Sequence, residues 1–290
     1  MGAPRNQVFF PTTFQTLFSH WFRTPDAVPF AGGTDIIRYQ GSRIPKLPQN
    51  ILSLDKLEEL HRITRTERYL EIGAMVKLSE IIALGKIVPE ALTWCLEGIG
   101  GPQVRNLATI GGNICRKSHY SDASVPMIAL DAQYELRTAT ATRWISASRF
   151  SSCAPVSGSP ARPVDVPFST LGSQELLTRI RIPLEQWDYG VYTKFTSREP
   201  DEPTGGIVFI IRNQKNVLTD IRIIYGRDII LRDKNTEALL IGKPLPLNRK
   251  DAFNCVDHWK TYLAALPPME DLLQARIINF IESSLLGLTD

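Results

Sequence analysis

The chain has 290 residues, 43% of them hydrophobic and 22% charged, with 33 basic against 30 acidic side chains and a formal net charge of +3. This size and balance fit two or three compact units, exclude overall disorder and give no electrostatic case for nucleic acid. No apolar run approaches a membrane span, and the opening MGAPRNQVFFPTTFQTLF lacks the continuous apolar core of a signal peptide.

In chain order, Phe14, Leu17, Phe18 and Trp21 follow helical spacing, with Thr12 or Thr13 as the N-cap. AVPF reads as a short buried strand that AGGTD interrupts. NILSLDKL and RYLEIGAMV give two more strands, and the order suggests a small α/β lobe at the N-terminus. KLSEIIALGKIV and PEALTWCLEGIG read as helices, the second opened by Pro89 and stopped by the Gly98–Gly101 cluster. After the TIGGNI loop, Asp122 is placed to cap a helix through ASVPMIAL, and QYELRT and RWISAS read as antiparallel strands. Residues 151–170 are rich in Ser and Pro and read as a surface loop. ELLTRIRI, VYTKFT, GIVFIIR and VLTDIRIIYG then read as four strands, with a hairpin at Asn213–Asn216. The tail is helical, with apolar residues three and four apart and Gly287 as a C-cap. A boundary near 170–176 divides a mixed first part from a sheet-then-helix second part.

Cys95, Cys115, Cys153 and Cys255 are scattered and show no CxxC pair. Reduced thiols in a cytoplasmic protein are expected, with no metal site.

Two glycine pairs carry the chemical signal: Gly32–Gly33 and Gly111–Gly112. Each is followed by a small polar side chain, Thr34 or Asn113. A loop that approaches a pyrophosphate needs residues without a Cβ and backbone N–H groups turned toward the oxygens, and glycine serves both needs. A lone Gly-Gly is most often an ordinary tight turn, and neither GxGxxG nor GxxxxGK[ST] is present, so a Rossmann site or P-loop is unsupported.

AGGTDII at 31–37 and RNLATIGGNICRKSHYSDASVPMIALDA at 105–132 resemble the two FAD-binding segments of the flavoprotein (medium) subunit of molybdenum hydroxylases, the xanthine dehydrogenase and carbon monoxide dehydrogenase family. GPQVRN, ELLTRIRIP, YTKFTSRE, LLIGKPL and QARIINFIESSL fall in the order of that family, so the resemblance covers nearly the whole chain. It implies an α+β fold. A two-lobed FAD-binding domain of the PCMH type would span 1–173, with a small α/β lobe over about 1–55 and a larger mixed lobe over about 56–173. A C-terminal domain of antiparallel sheet and helices would span 174–290.

The resemblance also implies a site. Pro29, Phe30, Ala31, Gly32, Gly33, Thr34, Asp35 and Ile36 would wrap the FAD diphosphate, with the N–H groups of residues 32–35 nearest. Ala108, Gly112 and Asn113 would close its other side, with Thr109 and Cys115 in the same cofactor-binding set. Ser121 and Asp122 would sit close to the cofactor, where a carboxylate accepts hydrogen bonds from ribityl or ribose hydroxyls. Ile99 and Gly100 would lie beside the isoalloxazine ring, approached by Leu177 and Lys194, with the lysine charge favouring the reduced anionic flavin. From the residues alone, Asp122 reads equally as a helix N-cap, Lys194 as a solvated strand residue and His119 as a solvated loop histidine. No side chain is assigned as a general acid or base.

The implied activity is electron transfer within a heteromeric molybdenum-containing dehydrogenase. Partners would be a [2Fe–2S] subunit and a molybdopterin subunit, with NAD+ or another compound as acceptor. Residues 116–120, 151–170 and 196–206 differ from the family pattern. Two alternatives stand beside this reading: a flavin-free scaffold subunit of such an assembly, and a stand-alone FAD oxidase.

Overall fold

A computed structural model describes residues 6–38, 47–116, 121–151, 171–195, 205–226 and 229–289. His119, most of the Ser/Pro-rich loop, Cys153 and the stretch 196–204 lie outside the described residues.

The small lobe holds β1 (Gln7–Phe9), α1 (Phe14–Arg23), β2 (Val28–Phe30), α2 (Thr34–Arg38) and β3 (Asn50–Ser53). Its strands form a parallel sheet in the order β1-β3-β2. Thr13 caps α1 in a reciprocal capping box with Thr16, and Phe14, Leu17, Phe18 and Trp21 form the buried stripe. Burying each such side chain contributes about 1.5–3 kcal/mol, which holds a ten-residue helix that would be marginal alone.

The larger lobe follows with β4 (Ile63–Arg65), β5 (Tyr69–Gly73), α3 (Leu78–Ala83), α4 (Glu90–Glu97), α5 (Pro102–Arg105), α6 (Ile110–Ile114), α7 (Ser124–Ala129), β6 (Gln133–Arg137), β7 (Thr142–Ser146), α8 (Ala147–Ser151) and β8 (Leu176–Pro183). Its sheet is antiparallel, in the order β4-β5-β8-β6-β7. The ELLTRIRI strand therefore does not begin the C-terminal sheet. It crosses back to lie between β5 and β6, and its Leu177, Ile180 and Ile182 complete the core of the larger lobe.

Two depressed carboxylates fasten this sheet. Arg143 donates two hydrogen bonds to Glu175, which holds that carboxyl below its ordinary value against the cost of burial. Burial alone would raise Glu71; hydrogen bonds from Arg181 and Arg179 outweigh it and lower the value.

The C-terminal part contains β9 (Tyr189–Phe195), β10 (Gly205–Gln214), β11 (Val217–Gly226), β12 (Ile230–Leu231), α9 (Lys234–Ala238), α10 (Arg249–Ala264) and α11 (Asp271–Leu286). The sheet is antiparallel, in the order β12-β11-β10-β9. The turn between β10 and β11 places Lys215 and Asn216 at positive φ, the geometry of a twisted two-residue hairpin. Alternate residues of β10 and β11 face two different cores. Val208, Ile210 and Ile224 join the core of the larger lobe, while Ile207, Phe209, Ile211, Ile223 and Tyr225 pack with Trp259, Ile277 and Ile281 from α10 and α11. A sheet covered on both faces explains the unbroken apolar runs in these strands.

Arg222 sits on the inner face of β11. It donates to the Ala129 carbonyl at 2.5 Å, to Asp131 at 2.6 Å and to Asp220 at 2.9 Å, tying the end of α7 to the C-terminal sheet. Arg222→Met should lower unfolding stability by about 2–3 kcal/mol, read from a urea midpoint, because the buried Ala129 carbonyl and the half-buried Asp220 carboxylate lose a charged donor; an unchanged midpoint would show the tie to be superficial. A lowered carboxyl stabilises the fold above its unfolded pKa, and that contribution is lost as pH falls through the folded one. Glu175→Gln should therefore flatten the loss of stability below the ordinary carboxylate value of 4.5, and an acid limb as steep as that of the parent would argue against this pairing.

Candidate functional site

The first glycine loop leaves β2 and turns into α2. Leu54 N–H bonds the Phe30 carbonyl and fixes the strand end. Gly33 then adopts φ +69°, and a Cβ there would lie 2.6 Å from the Phe30 ring. Only glycine fits both the backbone angle and the ring beneath it. Residues from Pro29 to Ile36 are all half-buried.

The second loop runs from α5 into α6 and is laid along the exit of β5. Leu78 N–H bonds the Ala108 carbonyl, Ile110 N–H bonds Val76 and Gly111 N–H bonds Ala74. The two glycines of TIGGNI have different tasks. Gly111 is buried, and its absent Cβ would lie 2.6 Å from the Ala74 Cβ. Gly112 is exposed on the outer side, where its N–H donates to the buried Thr109 hydroxyl at 3.1 Å.

The loops meet. A Cβ on Gly32 would stand 1.9 Å from the Leu107 carbonyl oxygen and 3.2 Å from the Ala108 Cα. A Cβ on Gly112 would stand 3.7 Å from that of Ala31. Residues some eighty positions apart are thus in backbone contact. Arg116 adds a second tie: its Nη2 lies 2.9 Å from Oδ1 of Asp35.

Beside this junction runs a polar chain. The Asn113 carboxamide oxygen accepts from the Ser121 hydroxyl at 2.5 Å and from Ala123 N–H at 3.3 Å. Asn113 therefore reaches inward and orders residues 121–123. Asp122 does not cap α7: Ser121 Oγ takes the Ser124 N–H at 3.1 Å, and Asp122 pairs with Lys194 of β9 at 3.0 Å. Lys194 is not a solvated strand residue either, with a side chain only 21% exposed.

Ile99 and Gly100 form the turn between α4 and α5. Gly100 has φ +54° and rests on Val104, while Arg105 donates to the carbonyls of Glu97 and Gly100 at 2.7 and 2.6 Å. Leu177 is buried within the core of the larger lobe, opposite Leu136. The Cys115 thiol is pushed up to about 12 by burial and stays protonated at neutral pH. The structure thus joins residues 31–35 to residues 107–116, links Asn113 to residues 121–123 and Asp122 to Lys194, and leaves the Leu177 side chain inside. Arg105 and Arg116 are contributors that the sequence reading did not single out. The signal for Arg116 was its place just after the second loop, but nothing along the chain pairs it with Asp35.

The two loops differ in what they offer. Among the described residues, the N–H groups of Gly32, Gly33, Thr34 and Asp35 have no protein acceptor, whereas those of Ala108, Ile110, Gly111, Gly112 and Asn113 are all engaged. The first loop supplies donors; the second supplies a wall of small residues. That combination fits a diphosphate. Two clefts, of about 460 and 510 Å³, lie elsewhere, and neither is lined by a residue of the glycine loops. Among the described residues, no three His, Cys, Asp or Glu side chains gather to hold a metal ion, and no helix is long and apolar enough to cross a membrane.

A small parallel lobe pinned to a mixed lobe through two glycine loops defines a two-lobed nucleotide-cofactor protein. Residues 4–185 match the family described as the FAD binding domain in molybdopterin dehydrogenase. The chain is 29% identical over 222 residues to the glyceraldehyde dehydrogenase medium chain of Sulfolobus acidocaldarius, covering 75% of this chain and 74% of that one. It is 26% identical over 241 residues to the xanthine dehydrogenase FAD-binding subunit of Escherichia coli O157:H7, covering 79% and 77%. Its fold matches a chain of quinoline 2-oxidoreductase from Pseudomonas putida 86 with a TM-score of 0.79 at 20% identity, over 100% of this chain and 98% of that one. A chain of carbon monoxide dehydrogenase from Hydrogenophaga pseudoflava matches with a TM-score of 0.77 at 22% identity, over 99% and 98%. The chain belongs to the FAD-binding family of molybdopterin dehydrogenases, as an FAD-binding subunit of the molybdenum hydroxylase class. Its cofactor is FAD.

Gly32→Ala tests the junction. The added methyl would overlap the Leu107 carbonyl and force the loops apart, so bound FAD should fall at least about tenfold, a change of about 1.4 kcal/mol, with the far-ultraviolet circular dichroism retained. Full flavin occupancy in that variant would show that the contact does not shape the site.

Proposed function

We propose that this chain is the electron-transfer subunit of a heteromeric molybdenum-containing dehydrogenase, taking electrons from a [2Fe–2S] partner and passing them to NAD+ or another acceptor. A molybdopterin partner would carry out the substrate chemistry. The observation that carries this reading is the junction of donor loop and glycine wall, set in a fold that matches chains of quinoline 2-oxidoreductase and carbon monoxide dehydrogenase over 98% of their length.

When bound, FAD supplies a carrier that accepts electrons singly and gives them up in pairs. The chain binds and orients it. Gly32, Gly33, Thr34 and Asp35 would present backbone N–H groups to the diphosphate, and Ala108, Thr109 and Gly112 would form the opposing wall, with Cys115 in the same set. Asn113 and Ser121 hold the segment that positions Asp122. Asp122 in turn holds the Lys194 ammonium at 3.0 Å, and the lysine end of this pair would favour a reduced, anionic ring if the ring lies against it. Ile99 and Gly100, steadied by Arg105, would offer the ring an apolar turn, and Leu177 would support it only from within the core. None of these residues is asked to act as an acid or base.

The test is reconstitution. The FAD-loaded chain, mixed without oxygen with its chemically reduced [2Fe–2S] partner, should lose its oxidised flavin absorbance and regain it when NAD+ or an artificial acceptor is added. A flavin that stays oxidised, or hydroxylation of an organic substrate by the isolated chain, would contradict the proposal.

A further inference from the structure

The first loop carries an acidic residue where an anion is to bind. Asp35 lies in the first turn of α2, directly after the unpaired N–H groups of Gly32, Gly33 and Thr34. A bare carboxylate at that place would oppose a diphosphate, because like charges within a few ångströms repel strongly when water is partly excluded. Arg116 changes this. It leaves the second loop two residues after α6 ends, and its Nη2 stands 2.9 Å from Asp35 Oδ1. Its side chain is only 10% exposed, against 37% for Asp35, so the guanidinium is held in the protein and the carboxylate is the outer partner.

This pair also completes a second anchorage between the loops. Gly32 meets Leu107 and Ala108 at one point, Ala31 faces Gly112 next to it, and Asp35 meets Arg116 farther along both segments. The loops thus meet at two points set apart along both segments.

We propose that Arg116 is a positioning residue for the cofactor: by pairing with Asp35 it offsets the carboxylate of the donor loop, which would otherwise repel the diphosphate. The proposal rests on the FAD reading above and adds to it a residue outside both glycine motifs.

The test is titration of the apoprotein with FAD for the parent, Arg116→Gln, Asp35→Asn and the double variant, with the melting temperature of each apoprotein measured alongside. Arg116→Gln should weaken FAD binding by about tenfold or more, because Asp35 is left unpaired. Asp35→Asn alone should stay within about threefold of the parent, and adding it to Arg116→Gln should restore affinity to within about threefold. The double variant leaves no unpaired charge and serves as the folding control if Arg116→Gln is unstable. A structural role alone would move the melting temperatures and not produce this rescue. Parent-like affinity in Arg116→Gln, or a double variant as weak as Arg116→Gln, would overturn the proposal. A parent apoprotein that takes up no FAD would overturn the FAD reading itself, a distinct result.

Discussion

The site depends on one backbone contact. At Gly32 the first loop lies so close to the Leu107 carbonyl that no side chain fits between them. Glycine is required here by crowding from a distant segment, whereas at Gly33 the requirement is a positive φ. The contact can form only because the second loop is already fixed. Its residues 108–111 hydrogen-bond to the backbone of 74–78, and Gly111 lets that segment close onto Ala74. The larger lobe therefore builds a rigid wall, and the small lobe brings its donor loop against it.

The C-terminal sheet supports the same wall from the other side. One face of β10 and β11 lies in the core of the larger lobe and the other in a separate core with α10 and α11. Lys194 reaches Asp122 from the strand beside them, and Arg222 ties the far end of α7 to the sheet. The segment bearing Ser121 and Asp122 is thus held at both ends, through Asn113 on one side and through the sheet on the other. Charge placed this way keeps its position when a ligand arrives, which is the useful property in a site that must bind and orient a cofactor.

Local features were legible in the sequence, and long-range pairings were not. The apolar spacing of α1, a hairpin within Asn213–Asn216 and the two glycine loops each follow from short-range rules; the structure shows the helix and loops where those rules put them and narrows the turn to Lys215–Asn216. The β8 strand was read correctly as a strand, but its alternation of buried and half-buried residues suits either sheet, and only packing chooses between them. Asp122 carries the signature of a helix cap, yet Ser121 takes the hydrogen bond because Lys194 claims the carboxylate. The division of labour between Gly111 and Gly112 also needed the fold, since one faces Ala74 and the other faces outward. The pairing of Arg116 with Asp35 joins residues that no local pattern relates.

The central claim is that two remote loops form a single FAD-binding edge, and amide hydrogen exchange tests it most directly. Exchange of the isolated chain should be followed with and without saturating FAD. The N–H groups of residues 32–35 should gain protection, and segment 107–113 should slow with them, while the β6–β7 turn at 138–141 keeps its rate. Protection confined to one loop, or a change at neither, would contradict the account.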